Sequence, residues 1–575
     1  MFAECFHAQR RFSSSSLLHR GKSTVAAASE SNWNESIRHM SLHKVSVSPV
    51  FTPQCVYQHL ATVKPSNDNA SVVISTKFTL TVRVESQTNN VTLCRWSQTY
   101  GEGGHFSVWI QVSEATSDAT CIHTVDKRAN KAYLRKCTTL MQNTVGFLWL
   151  LRLPPTIPKT CTDGARGCEA EHSTTEAKQK RLRSLDTFRG FALTVMVFVN
   201  YGGGGYWFFQ HAPWNGLTIA DAVMPWFVFI IGTSVELAFR SMQRRGVGRL
   251  QLLRKITWRT VVLLMLGFCF LNYSPRDGPL SSSWLRIPGV LQRLGFTYFV
   301  LSVLQTFWGQ KEIPLTTHHW WSPIQDVVLF GPQWLIIILL ETLWLCITLL
   351  MPVPNCPTGY LGAGGIGDNG LYPNCTGGAA GYIDRWMFGD NMYKYPTCKE
   401  MYHTTQPFDP EGVLGTINSI VMGFLGMQAG KIIIFYKEKN IHVLCRFLVW
   451  AILLGICAAI LSKCTRDGGF IPVNKNLWSL SYVMCMGCFS FLLLGSMYFV
   501  TDIKGWWDGQ PFIYPGMNSI FVYVGHSILG FYFPFSWEMR FQESHWEWLF
   551  QSLWGTALWV LIAYLLYRKK FFLKI

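Results

Sequence analysis

Beyond about residue 184 the chain is written in long apolar runs separated by short stretches where charge, proline and glycine collect. An α-helix rises 1.5 Å per residue, so about 20 apolar residues cross the ~30 Å hydrocarbon core of a bilayer. Ten runs meet that need, at roughly 188–209, 219–239, 256–273, 288–307, 328–351, 412–434, 442–462, 476–500, 512–533 and 547–567. An eleventh, at 138–154, is short and is broken by Arg152 and the pair Pro154 and Pro155. The pattern predicts an α-helical polytopic membrane protein with 10–11 transmembrane helices.

The N-terminal part has a different rhythm. Between Ala70 and Gln111 apolar and polar residues alternate in short segments rich in Val, Thr and Ser, such as SVVISTKFTLTVRV and GHFSVWIQV, bounded by NN and GEGG. Period-two alternation of this kind predicts strands. Three units follow: a small β-rich N-terminal domain at 1–137, a weak span with a basic connector (EAKQKRLR) at 138–183, and a transmembrane domain at 184–575. Cysteines such as Cys55 and Cys94, and sequons at Asn34, Asn69 and Asn90, fit an oxidising, glycosylating lumen for the first unit. The first thirty residues are basic and Ser-rich, without the apolar core of a signal peptide.

Composition agrees with the spans: 49% of residues are hydrophobic and only 14% charged. The net charge of +17 sits largely in loops, where Lys and Arg report orientation, and no nucleic-acid partner is expected. Arg240 to Lys255, Lys431 to Arg446 and the tail from Arg568 fall on one set of alternate connections, which faces the cytosol. The corner 210–218, the long loop 352–411 and the segment near Trp537 fall on the other. That loop carries the sequon Asn374-Cys375-Thr376, so N-linked glycosylation is expected at Asn374 and the lumenal side is indicated a second time. Its three cysteines permit one disulfide and a spare, or a bond to the N-terminal domain. The other cysteines show no zinc-like spacing; Cys464, Cys485 and Cys488 read as small apolar residues, and no metal site is expected.

Candidate chemistry gathers where polar groups interrupt apolar helices. Asn200 stands eleven residues before His211 across a run of four glycines. A histidine and an asparagine at one membrane face point to a site at the mouth of a cavity, against the plainer reading of an interfacial anchor and a helix cap. Asp221 is placed to orient His211 or to fix the corner. Asp186 and Arg189, three apart on one helix face, pair with each other or present Arg189 to a phosphate. Arg293, inside a span, needs a carboxylate or an acyl donor, and Arg286 stands at its rim. Glu236 and Glu341 are the candidate partners for these arginines.

The strings RLRSLDTFRG, VNYGGG, HAPWNGLTIAD, RIPGVLQRLG, CPTGYLGAGGIGD, DPEGVLGTINSIVMGFLGMQAGK, GFIPVNKNLWSLSYV and YPGMNSIFVYVGH, in that order, resemble the family of lysosomal heparan-α-glucosaminide N-acetyltransferases over about residues 180–575. The family carries a signal peptide and a solid first span where this chain shows neither clearly. The resemblance implies a lysosomal membrane enzyme that passes the acetyl group of cytosolic acetyl-CoA, a cosubstrate and not a resident cofactor, to the terminal glucosamine amine of heparan sulfate. It also implies His211 as the acetyl-transfer histidine and Asn200 as its companion, and leaves a homodimer open. His211 would act either as nucleophile, becoming acetyl-imidazole, or as general base toward the amine. Asn200 would donate to the developing oxyanion. Asp186, Arg189, Arg293 and Arg286 are the candidates for contacting the donor. The rival from another class is a secondary transporter of a small anion, with breaks at VNYGGGG and PGMN marking discontinuous helices.

Overall fold

The computed structural model describes residues 182–271, 285–309, 324–436, 439–540 and 544–573, together with eight strands ahead of them. Those strands, from Ser23–Ser29 to Ala119–Asp126, form two four-stranded sheets. In one of them Ser23–Ser29 pairs antiparallel with Asn69–Ile74 and parallel with His105–Val112. The run at 138–154 and the sequons at Asn34 and Asn90 lie outside the described residues.

From Arg183 onward the chain is helical. The main helices are α1 Arg183–Asn200, α2 Ile219–Arg244, α3 Arg249–Leu266, α4 Val290–Trp308, α5 Gly331–Leu350, α6 Gly378–Phe388, α7 Val413–Phe435, α8 Asn440–Ser462, α9 Leu480–Met497, α10 Ser519–Leu529 and α11 His545–Arg568. Among the described residues six are long and apolar enough to cross a membrane: α2, α5, α7, α8, α9 with its continuation to Ile503, and α11. The protein is therefore a helical, multi-pass membrane protein.

The remaining predicted runs are helical too, and backbone geometry cuts two of them short. The 188–209 run ends as α1 at Asn200, because Gly202, Gly203, Gly204 and Gly205 all take φ between 56° and 99°, a region that terminates a right-handed helix and favours glycine. The 512–533 run is interrupted at Asn518 (φ −120°, ψ 38°), which leaves the five residues Ile513–Met517 on one side and the eleven of α10 on the other.

The centre of the bundle is α7, whose most apolar window is 89% buried, against 22% for α5 and 28% for α8 at the periphery. Helix α7 runs parallel to α2: Phe229 meets Gly426 and Glu236 meets Gly430. Their approach is close enough for Thr233 Oγ1 to donate to the carbonyl of Gly426 at 2.9 Å. Small residues permit such contact between membrane helices, and dispersion then supplies the attraction.

Loop 352–411 is a docked structure. A Cys356–Cys375 disulfide closes its first half, and Cys398 is a free thiol. Asn391 accepts from Ile287 N at 2.8 Å through its carbonyl and donates to Leu285 O at 2.8 Å through its side chain. Asp384, on α6, accepts from Val413 N at 3.0 Å and so caps α7. Burial above all, with Asp409 nearby, pushes the Asp384 carboxyl up to about 7. A folded-state value above the unfolded one, about 3.9, means that stability from this group is full below about pH 4 and is lost as pH rises through about 7. The melting temperature is therefore expected to be higher at about pH 5 than at about pH 7.5, and Asp384→Asn is expected to narrow that gap. Scanning fluorimetry at the two pH values checks this; an unchanged gap in the variant contradicts it.

Cys464 corrects the sequence reading. It is disulfide-bonded, not simply a small apolar residue at a helix end.

Candidate active site

The corner between α1 and α2 is held from two sides. Trp214, 1% exposed, donates its indole N–H to Leu361 O of the long loop at 2.9 Å, and its ring lies 5.3 Å from that of Phe408. Asn215 donates to Asp467 at 2.9 Å and accepts from Asn474 at 3.0 Å, while Arg466 donates to its carbonyl at 3.0 Å. Gly216, at φ 114°, donates its N–H to Val473 O at 2.8 Å. The segment between α8 and α9 and the long loop thus clamp the corner between them.

Within that clamp His211 meets Asp221, its Nδ1 standing 2.8 Å from Oδ1. Asp221 is fully buried and its other oxygen accepts from Ala212 N at 3.1 Å, Thr218 N at 3.1 Å and Thr218 Oγ1 at 2.9 Å. With Thr218 it forms the capping box that starts α2. One carboxylate therefore fixes the corner and orients the imidazole. Pro225 has no N–H to give the Asp221 carbonyl four residues earlier, and Tyr482 Oη donates to that carbonyl at 2.5 Å instead. With Nδ1–H donated to Asp221, Nε2 carries the lone pair of the ring, on a side chain 52% exposed.

Lys475 is the next neighbour. Its Nζ lies 2.9 Å from His211 Nδ1, 3.2 Å from Nε2 and 3.7 Å from Asp221 Oδ1. Burial pushes the Lys475 amine down from its ordinary value, and Asp221 opposes the shift.

Asn200 reaches a different histidine. Its Nδ2 stands 2.9 Å from His526 Nε2, and His526 Nδ1 lies 3.1 Å from Val522 O, which fixes Nδ1 as the donor and Nε2 as the acceptor of the Asn200 amide. His526 is 3% exposed.

The arginines separate into two ends. Arg293, also 3% exposed, donates to the carbonyls of Pro410 and Gly412 at 3.0 and 3.1 Å and lies 5.0 Å over the Trp478 ring. Its Nε has no hydrogen-bond partner among the described residues. Arg286 meets Asp409, with Nε 2.9 Å from Oδ2, and also Glu411. Neither arginine pairs with Glu236 or Glu341 in these contacts. Glu236 stands 3.8 Å from Arg240, and neither carboxylate oxygen of Glu341 has a hydrogen-bond partner among the described residues. At the opposite end of α1, Arg189 pairs with Asp186 at 3.3 Å and donates to Ser234 Oγ at 2.8 Å.

Lys475 and His526 were not singled out from the sequence. They lie 264 and 326 residues from the groups they touch, which no local spacing reveals. A lysine between two asparagines just before a span (VNKN), and a histidine inside an apolar run, were the available signals.

Fold and site together define a class: a multi-pass helical membrane protein with an imidazole–carboxylate pair at one mouth of its bundle. No family model matches the chain. The chain is 46% identical over 556 residues to the heparan-alpha-glucosaminide N-acetyltransferase of Mus musculus, covering 91% of this chain and 85% of that protein. It is 56% identical over 398 residues to the enzyme of the same name from Homo sapiens, covering 69% of this chain and 60% of that one. The chain belongs to the heparan-alpha-glucosaminide N-acetyltransferase family.

Proposed function

We propose that this protein moves the acetyl group of acetyl-CoA from the cytosolic side to the terminal glucosamine amine of heparan sulfate on the lumenal side of the lysosomal membrane. The observation that carries the reading is the His211–Asp221 pair at 2.8 Å, which makes Nε2 the basic nitrogen of the ring, with Lys475 Nζ 3.2 Å from it. Nε2 either takes the acetyl group itself or takes the amine's proton as the amine attacks the thioester. Asn200 acts as the companion group through His526. Orientation is supported by the exposed sequon residue Asn374 and by disulfides at Cys356, Cys375 and Cys464, all on the face assigned to the oxidising lumen.

The shorter helices α1, α3, α4 and α10 complete ten spans around the six longest; with the run at 138–154 as an eleventh, the N-terminal strands form a small lumenal β-rich domain, and with ten alone that domain is cytosolic. Asp186 and Arg189 meet the charged end of the donor at the cytosolic entrance. Arg293, with a buried donor still unmatched, stands where the acetyl end arrives, and Arg286 shapes that mouth through Asp409. A route for the thioester arm alone spares the multiply charged nucleotide from crossing hydrocarbon.

The interruption of the helix at Asn518 favours a second reading, a secondary transporter of a small anion. Supplying acetyl-CoA labelled in the acetyl group together with a glucosamine-terminated oligosaccharide separates the two. A transferase labels the sugar; a transporter accumulates label without acetylating it.

A further inference from the structure

We propose that Lys475 is a catalytic residue of the acetyl transfer, its ammonium donating to the acetyl oxygen as that oxygen gains charge. The inference rests on reading His211 as the acetyl-transfer histidine.

Distance supplies the first argument. An ammonium kept only to neutralise Asp221 would approach the carboxylate most closely. Lys475 Nζ is instead 3.7 Å from Asp221 Oδ1 but 2.9 and 3.2 Å from the two ring nitrogens of His211. A carbonyl carbon brought up to Nε2 therefore carries its oxygen into reach of Nζ.

Rigidity supplies the second. Lys475 has only 19% of its side chain exposed and sits in a stapled turn, where Asn474 donates to Asn215 at 3.0 Å and accepts from Leu477 N at 3.0 Å. A donor fixed before reaction needs little reorganisation when charge develops, which is the condition for oxyanion stabilisation. Third, the residue expected from the sequence to play this part, Asn200, has its amide on His526. Among the described residues Lys475 is the side-chain cation that contacts the reacting ring.

In the step itself, Nε2 or the substrate amine forms a C–N bond to the acetyl carbon and the C=O pair moves onto oxygen. Lys475 donates a hydrogen bond to that oxygen and keeps its proton. Collapse restores C=O, breaks C–S and leaves the electron pair on the coenzyme A thiolate. In direct transfer the amine's proton passes to His211 Nε2; in the acyl route the amine then attacks the acetyl-imidazole, C–Nε2 breaks, and the ring keeps that electron pair and takes the amine's proton. The same stabilisation serves both routes, because the tetrahedral oxyanion is common to them.

The test compares the full-length wild type with Lys475→Met and Lys475→Arg in detergent, using steady-state kinetics and binding of two donor analogues. S-ethyl-CoA lacks the carbonyl oxygen. A methylphosphonothiolate of CoA presents a tetrahedral anion in its place. Lys475→Met is expected to lower kcat by about 10²–10³-fold with KM changed only a few-fold, and to lose affinity for the phosphonothiolate while keeping that for S-ethyl-CoA. Lys475→Arg is expected to recover part of both losses. Wild-type kcat in Lys475→Met, or equal loss of both analogues, overturns the proposal. If Lys475→Met does not fold, Lys475→Gln, which keeps a neutral donor, is expected to fall between wild type and an inactive protein; full activity there overturns the proposal equally. An active His211→Ala protein would refute the histidine reading while leaving the Lys475 comparison to be judged on its own numbers.

Discussion

Replacing His211 with alanine is expected to lower kcat/KM for acetyl transfer by about 10³-fold or more, whichever route the acetyl group takes. The magnitude follows from what the side chain supplies. A nucleophile or a general base in contact with the reacting atoms contributes rate that no neighbour replaces, and several kcal/mol of barrier go with it. His211 projects from a corner and is half exposed, so the variant is expected to fold and to melt close to wild type. Asp221→Asn gives the complementary result. An asparagine amide offers Nδ1 a donor in place of the carboxylate, turns the imidazole to the other tautomer and ties up Nε2 as N–H; a loss of about 10²–10⁴-fold in kcat is expected. Asp221 also caps α2, so this variant should cost about 1 kcal/mol of stability as well. An Asp221→Asn protein of wild-type activity would mean that the carboxylate serves the helix and not the histidine.

The second large effect lies where α2 and α7 touch. A Cβ placed on Gly232 would stand 1.7 Å from the carbonyl oxygen of Gly423, and one on Gly426 would stand 2.0 Å from that of Phe229. Both obstacles are backbone, so neither can swing away, and the helices must separate along the most buried seam of the bundle. Gly232→Val is expected to cost more than about 4 kcal/mol and to prevent accumulation of folded protein. Size-exclusion profiles and glycan maturation report the loss. A well-folded Gly232→Val protein would show that the approach of these helices is not fixed by their glycines.

How far the fold was legible depends on which physical quantity each residue expresses. Apolar runs revealed where helices lie, since burial in lipid and burial in protein both demand such residues. For the same reason the runs could not rank the helices. Helix α5 is more apolar than α7, yet only 22% of its apolar stretch is buried against 89%. Lipid-facing helices need more apolar surface, whereas α7 packs glycines and polar residues such as Gln428 and Lys431 in the interior. The ends of α1 and α10 escaped the reading because they depend on φ at Gly202–Gly205 and at Asn518, to which hydropathy is blind.

The site was legible to the same degree. His211 and Asp221 are ten residues apart and share one corner, so their meeting follows from local sequence. The destination of the Asn200 amide and the arrival of Lys475 follow only from tertiary packing. So does the partnership of Arg293 with backbone carbonyls in place of Glu236 or Glu341. Cys464 looked like a small apolar residue because it closely follows an apolar helix, and only the three-dimensional fold reveals its disulfide.

The central claim is that acyl donor and amine acceptor react through the protein while staying on opposite faces of the membrane. Purified protein sealed into liposomes, with glucosamine-terminated heparan oligosaccharide trapped inside and acetyl-labelled acetyl-CoA supplied outside, tests it directly. The account predicts acetylated sugar inside, free coenzyme A outside, and neither product in liposomes carrying His211→Ala. Acetylation that proceeds only when donor and acceptor share one compartment would contradict it.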